Sequence, residues 1–296
     1  MKLYTFDNGD GVKRVGVELT GFPGLIRDVR DFGLPYRDMT DLIRRITPSE
    51  KERISDPEAA LDGRPLRLSS VRVCSPIPHP EQDIICLGVN YAAHADESAQ
   101  FDRKAFLLDR KKATYFSKRA YQTSGPDDLI PSYPELVTSL DYEAELAVII
   151  GRDCKNVCER DAAACIFGYT VLNDVSARNL QTEHNQWYFG KSLDGFTPMG
   201  PCIVTEDEIP YPPALSISST VNGELRQNSN TKYLLHSISE IIAELSQGMT
   251  LRAGTIIATG TPAGVGMGMD PPRFLVPGDE VRCEIEGIGT LTNTVH

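Results

Sequence analysis

Long apolar runs are missing from this chain of 296 residues. No stretch approaches the roughly 20 apolar residues that cross a bilayer, and Met1-Lys-Leu-Tyr-Thr-Phe-Asp7 lacks the apolar core of a signal peptide. A cytoplasmic protein with no membrane partner is expected. Positive charge is also scarce: 30 Lys and Arg against 41 Asp and Glu leave a formal net charge of −11. That argues against nucleic acid as a partner. A small anionic ligand stays compatible, because it needs only a local positive site. Closely spaced cysteines are scarce too. The seven cysteines are odd in number and scattered, which fits reduced thiols. Cys154-x3-Cys158 is the one close pair; it is not a zinc-knuckle spacing and reads as packing. Nor is there a dinucleotide fingerprint: Gly264-x-Gly266-x-Gly268 runs into Asp270-Pro-Pro rather than a helix.

The length suits one large domain with a small one. Residues 1–73 read as a small α/β unit, with a β-pair around Asp7–Gly11 and helices at 38–46 and 49–54. Residues 74–82 carry three prolines and read as a linker. From 83 to 296 strand-like runs dominate, at 83–89, 140–150, 167–172, 201–205, 216–221, 255–259, 280–285 and 289–295. Two helical stretches stand out, at 159–166 and 237–247. Many strands with few helices predict a β-rich α+β fold, not a doubly wound sheet.

What is present in unusual form is acid inside an apolar strand. In Asp141-Tyr-Glu-Ala-Glu-Leu-Ala-Val-Ile-Ile150, strand alternation puts Glu143 and Glu145 on one face of a half-buried strand. Adjacent carboxylates there repel each other and resist desolvation, and a divalent cation would relieve both. Asp174 follows another strand-like run. Three carboxylates suit Mg²⁺ or Mn²⁺, with Ca²⁺ as a substitute, rather than zinc. An acidic, solvated strand face is the plainer alternative.

Other segments could supply catalysis. Asn90 can cap a helix on which His94 and Glu97 share a face, an arrangement suited to a general base. Lys191, among glycines and turn formers, could stabilise an oxyanion or simply be exposed. Arg178 and Gln181 could reach a substrate carboxylate, or pair with Asp194 or Glu183. The glycine-rich turn 258–268 could offer N–H groups to a carboxylate. His184, Trp187, Met267 and Met269 are further candidates for a pocket wall.

Taken in order, Gly88-Val-Asn-Tyr-Ala-Ala-His-Ala-Asp-Glu97, Phe116-Ser-Lys118, Asp141-Tyr-Glu-Ala-Glu145, Asn173-Asp-Val-Ser-Ala-Arg178, Gly190-Lys-Ser-Leu-Asp-Gly195, Gly260-Thr-Pro-Ala-Gly-Val-Gly266 and Pro277-Gly-Asp279 resemble the fumarylacetoacetate hydrolase family. The likeness runs from about Ile84 to the C-terminus. It implies a β-sandwich-roll catalytic domain behind a small N-terminal domain, a homodimer, and one Mg²⁺ or Mn²⁺ on Glu143, Glu145 and Asp174. It further implies a water-activating pair, His94 and Glu97, and an oxyanion-stabilising Lys191. Tyr91, Lys118, Gln181 and Thr261 would line the substrate site. Arg119 departs from the proline that many members carry there, and the charged stretch 102–112 reads as a lid or a solvated helix.

The implied chemistry is hydrolysis of the C3–C4 bond of a 2,4-dioxo acid such as an acylpyruvate or fumarylpyruvate, through an enolate chelated by the metal. Oxaloacetate-type decarboxylation, isomerisation of a 2-hydroxyhepta-2,4-diene-1,7-dioate type, tautomer exchange and ureidoglycolate lysis use the same site. A non-catalytic module that binds a metal or an oxo acid is the reading from another class. Intact His94, Glu97 and Lys191 speak against it.

Overall fold

The computed structural model describes residues 1–56, 64–101, 111–184 and 186–296. Most of the charged stretch 102–112 lies outside the described residues. The polar turn after Asp7 folds β1 (Lys2–Asp7) back onto β2 (Lys13–Glu18). β3 (Leu25–Asp28), β4 (Leu66–Arg67) and β5 (Arg72–Cys74) extend this sheet. Two short helices stand where the sequence places them. In α1 (Met39–Arg45) the Asp38 side chain accepts from the Asp41 N–H, and α2 (Pro48–Ser55) opens on a Thr47–Glu50 capping box.

The rest of the chain supplies β6 (Ile84–Gly88), α3 (Ala92–Phe101), β7 (Thr114–Lys118) and β8 (Leu129–Ile130). Next come β9 (Leu140–Asp141), β10 (Ala144–Ile150), β11 (Ile166–Asn173) and β12 (Ser176–Ala177). They are followed by α4 (Arg178–Glu183), α5 (Tyr188–Lys191), β13 (Met199–Thr205), β14 (Ser216–Val221) and β15 (Glu224–Asn230). The chain closes with α6 (Ile238–Gly248), β16 (Ile256–Ala258), β17 (Glu280–Ile285) and β18 (Gly289–Val295). α6 begins at a Ser237–Glu240 capping box and buries Ile238, Ile241, Ile242 and Leu245.

Two expectations need correction. The run 140–150 is not one strand: Glu143 donates its N–H to the Asn173 side chain at 3.0 Å, which breaks the ladder between β9 and β10. The expected helix at 159–166 is a 3₁₀ turn over Glu159–Cys165, because Ile166 is already paired with Ile150 in the sheet.

The β-rich α+β class stands. One large open sheet has the order β4-β3-β2-β1-β13-β11-β10-β16-β6-β7, with β5 also on β1. The N-terminal strands belong to it through Lys2↔Val204 and Leu3↔Ile203. A second open sheet has the order β15-β14-β17-β18-β8. Leu146, Val148 and Ile150 of β10 pack in one core with Ile217, Cys283 and Leu291 of the second sheet. Ala147 and Ile149 pack in another with Met39 and Leu42 of α1. β10 is therefore buried on both faces, not half-buried, and its apolar residues run without alternation for that reason.

This topology gathers the acids. Ala144 at the start of β10 pairs with Asn173 at the end of antiparallel β11. Glu143, Glu145 and Asp174 consequently share one end of the central strand pair.

Candidate active site

Glu143, Glu145 and Asp174 are buried, and one carboxylate oxygen from each lies within 4.8 Å of the others. Their partners are cations that are buried themselves. Lys191 Nζ donates to Glu143 Oε2 and Asp174 Oδ2, each at 2.8 Å. Arg178 Nη2 lies 2.7 Å from Glu143 Oε1, and Lys118 Nζ lies 2.7 Å from Asp174 Oδ1. Lys118 also donates to the carbonyls of Val175 and Lys191. Arg178 pairs through Nε with Asp141 Oδ2 at 2.8 Å and donates from Nη1 to Gln181 Oε1 at 3.0 Å. Its partners are thus Asp141 and Glu143, not Asp194 or Glu183. Lys191 ends the short helix α5 and is buried, not exposed on a loop.

Charge is unevenly shared within this cluster. Burial favours the neutral form of Glu143, but Lys191 and Arg178 outweigh it and hold the carboxyl low, at about 2. Burial raises Glu145, and Asp174 and Glu143 raise it further, well above the usual carboxylate range. Among the described residues Glu145 makes no ion pair; its Oε2 accepts the Gly260 N–H at 2.8 Å. Burial lowers the Lys191 ammonium, but Asp174 and Glu143 more than reverse this and raise it. Burial prevails at Lys118, whose ammonium is lowered despite Asp174. Asp174 Oδ1 is buried without a well-aligned hydrogen bond, although Lys118 Nζ is close. An acid disfavoured as an anion beside an under-satisfied carboxylate oxygen is the arrangement a divalent cation would correct. The all-oxygen donor set fits a hard ion.

His94 and Glu97 project from α3, with His94 Nδ1 and Glu97 Oε2 3.1 Å apart. The other imidazole nitrogen, Nε2, lies 3.3 Å from Ser98 Oγ. Glu97 Oε1 accepts the Gly264 N–H at 2.9 Å. Asn90 does not cap α3. Its amide bridges His236 and the Thr259 carbonyl, tying the entry of the helix to the end of β16.

The glycine-rich turn does offer N–H groups to carboxylates, but to the protein's own. Gly260 serves Glu145, Gly264 serves Glu97, and Gly266 and Met267 serve Asp141. An added Cβ on Gly268 would lie 2.0 Å from the Glu97 carboxyl carbon, so a side chain there would displace Glu97.

A small cleft joins these parts. It is lined by His94, Glu143, Arg178, Gln181, Lys191 and Thr261 on its polar side, and by Leu87, Gly88, Phe116 and Trp187 on its apolar side. Its free volume of about 10 Å³ is roughly the room of one water. Tyr91 is buried nearby, with a hydroxyl that lacks a hydrogen bond among the described residues. His184 is not in the cleft: it is exposed and packs on Phe189. Met267 is buried behind the turn and Met269 is contacted by Arg226.

Two further residues hold the cluster in place. Asp141, fully buried, accepts from Tyr142, Gly266, Met267 and Arg178. Gln227, on β15, accepts from Ala144 N–H and donates to Thr261 Oγ1 and the Pro262 carbonyl. Asp141 opens the acidic run and was visible as a charge in an apolar segment. Nothing near Gln227 pointed across to β10.

Comparison with known proteins gives the family. Residues 83–296 match the model of the fumarylacetoacetate (FAA) hydrolase C-terminal family. This chain belongs to the fumarylacetoacetate hydrolase family. Oxaloacetate tautomerase YisK of Bacillus subtilis is 45% identical over 228 residues, 77% of this chain and 74% of that relative. The fumarylacetoacetate hydrolase of Exiguobacterium antarcticum superposes with a TM-score of 0.83 at 40% identity, covering 100% of this chain and 99% of that one. Maleylpyruvate hydrolase of Sphingobium sp. SYK-6, solved with manganese(II) and pyruvate, gives a TM-score of 0.77 at 33% identity, covering 100% and 98%. Family relatives are thus enzymes of more than one reaction type. Among the described residues no helix is long and apolar enough to cross a membrane.

Proposed function

We propose that this chain is a divalent-metal-dependent enzyme acting on a small 2-oxo acid through its C3 enolate, with C3–C4 hydrolysis of a 2,4-dioxo acid as the reaction. The observation that carries the proposal is the convergence of Glu143, Glu145 and Asp174 within 4.8 Å beside a His94–Glu97 pair. Glu143, Glu145 and Asp174 would hold Mg²⁺ or Mn²⁺, which supplies Lewis acidity toward the 2-oxo and carboxylate oxygens. Manganese and pyruvate in the maleylpyruvate hydrolase complex support the same ligand chemistry.

The chain's own groups then have separable tasks. Glu97, fixed by the Gly264 N–H, orients His94 and stabilises it when it takes up a proton. His94 accepts that proton from water, which attacks C4. Lys191 faces Glu143 and Asp174 and offsets negative charge developing on the substrate. Arg178 holds Gln181 toward the cleft, where its amide meets a substrate oxygen. Tyr91, Lys118 and Thr261 complete the substrate surround.

A second reading is proton exchange between the keto and enol forms of oxaloacetate, favoured by the 45% identity to a tautomerase. In it His94 takes the proton from C3 instead of from water and passes it to the 2-oxo oxygen, or carries the same proton in reverse, with no carbon–carbon bond broken. Incubating the metal-loaded protein with acylpyruvates, and separately with enol-oxaloacetate, discriminates the two. Release of a carboxylic acid with pyruvate supports hydrolysis. Accelerated loss of enol absorbance without bond cleavage supports tautomerisation. Release of CO₂ as the sole event refutes both.

A further inference from the structure

We infer that Trp187 sets how long a substrate tail the cleft accepts. This rests on reading the site as a 2-oxo acid enzyme. The cleft has two unlike walls. Glu143, Arg178 and Lys191 form the charged one, which receives the oxo-acid head. Gly88, Phe116 and Trp187 form the apolar one, where carbons beyond C3 must go.

Trp187 closes that second wall. Its indole meets Phe116 edge-on, with centroids 5.4 Å apart and planes at 72°. The same Phe116 ring lies 5.3 Å from Lys191 Nζ, so the indole is one ring away from the charged cluster. The Trp187 carbonyl accepts the Lys191 N–H at 3.2 Å, so one turn of α5 carries both residues. On its other side the indole rests on bare backbone: a Cβ added at Gly88 would stand 2.3 Å from the indole Cζ3. The cleft has room for about one water, so any ligand must displace side chains, and on the apolar wall the indole is the bulkiest group an acyl tail meets. In a tight apolar pocket one methylene changes selectivity by roughly 10- to 200-fold.

The test uses acylpyruvates of increasing tail length. The wild type is expected to lose about tenfold in kcat/KM for each step past the shortest tails. Trp187→Ala should flatten this profile by at least about tenfold at the long end, and Trp187→Phe should fall between. Trp187 is the single tryptophan of the chain, so its fluorescence gives a readout independent of turnover. Titrating oxalate with Mg²⁺ should change that emission saturably. Gly88→Ala should shift the emission even without ligand, because the new methyl displaces the ring. A Trp187→Ala profile that parallels the wild type, or emission indifferent to oxalate while oxalate binds by calorimetry, overturns the inference alone. A wild type that neither binds oxalate nor turns over any oxo acid overturns the inference together with the function it rests on.

Discussion

Asp141 Oδ2 accepts the Nε–H of Arg178 at 2.8 Å, with both side chains sealed from solvent. The same carboxylate holds the N–H groups of Gly266 and Met267, and Arg178 reaches on to Glu143. Asp141 thus links the turn that fixes Glu97 to a carboxylate of the acidic cluster. Asp141→Asn keeps the shape but leaves Arg178 without a full counter-charge and sets an amide donor against N–H donors. Breaking a buried pair typically costs about 3–5 kcal/mol. Urea denaturation should show a loss of that order, with weaker Mn²⁺ binding by calorimetry; a variant as stable as the parent would remove Asp141 from this role.

Glu145 is the acid least able to carry charge when no cation is near, since burial and its two acidic neighbours raise it. Glu145→Gln should therefore leave the metal-free protein at least as stable as the wild type. Saturating Mn²⁺, near 100 times Kd, should stabilise the wild type by about 2.7 kcal/mol and the variant by much less. Equal metal-induced shifts in thermal melting would show that the ion binds elsewhere.

His94 touches none of the three carboxylates by hydrogen bond; its partners are Glu97 and Ser98. His94→Ala should lower kcat by about 10²–10⁴-fold while Mn²⁺ affinity stays within a factor of a few. Metal loss in that variant would reassign His94 to the cation.

At Gly268 an added methyl would overlap Glu97 and nothing rigid, because the nearest atoms are the end of that side chain. Gly268→Ala should fold normally yet swing Glu97 away from His94. Turnover should drop by about tenfold or more, within the range a positioned general base contributes. Unchanged turnover with unchanged stability would mean that Glu97 does not orient the imidazole.

Cys202 and Cys283 are pushed up to about 12 from 9.0 by burial. A raised thiol ionises first in the unfolded chain. The stability each contributes is therefore complete below about pH 9 and is lost as pH climbs toward 12. Denaturation midpoints should be flat to pH 9 and then fall. At pH 8 a thiol reagent should modify exposed Cys158 quickly and the six buried cysteines slowly; rapid reaction of several thiols would contradict the packing.

Much of this was legible in the sequence, because acids inside apolar segments are expensive and therefore conspicuous. Glu143, Glu145 and Asp174 stood out that way, and His94 with Glu97 by helical spacing. The break at Tyr142–Glu143 was not legible, since it depends on the Asn173 side chain, which is brought there by the β10–β11 pairing. Gln227 was invisible for the same reason: its partners, Ala144 and Thr261, are close only in the fold. Lys191 looked like a loop residue because α5 is only one turn long and too short to show periodicity.

β13 has β11 on one side and β1 on the other. If residues 1–74 were removed, the strand Met199–Thr205 would expose its backbone donors and acceptors along a free margin, with Ile203 losing its cover. Such a margin recruits strands from other molecules. The N-terminal strands therefore cover an edge of β13 that would otherwise be open, and a chain truncated before Ser75 is expected to aggregate, which light scattering of the purified protein would show.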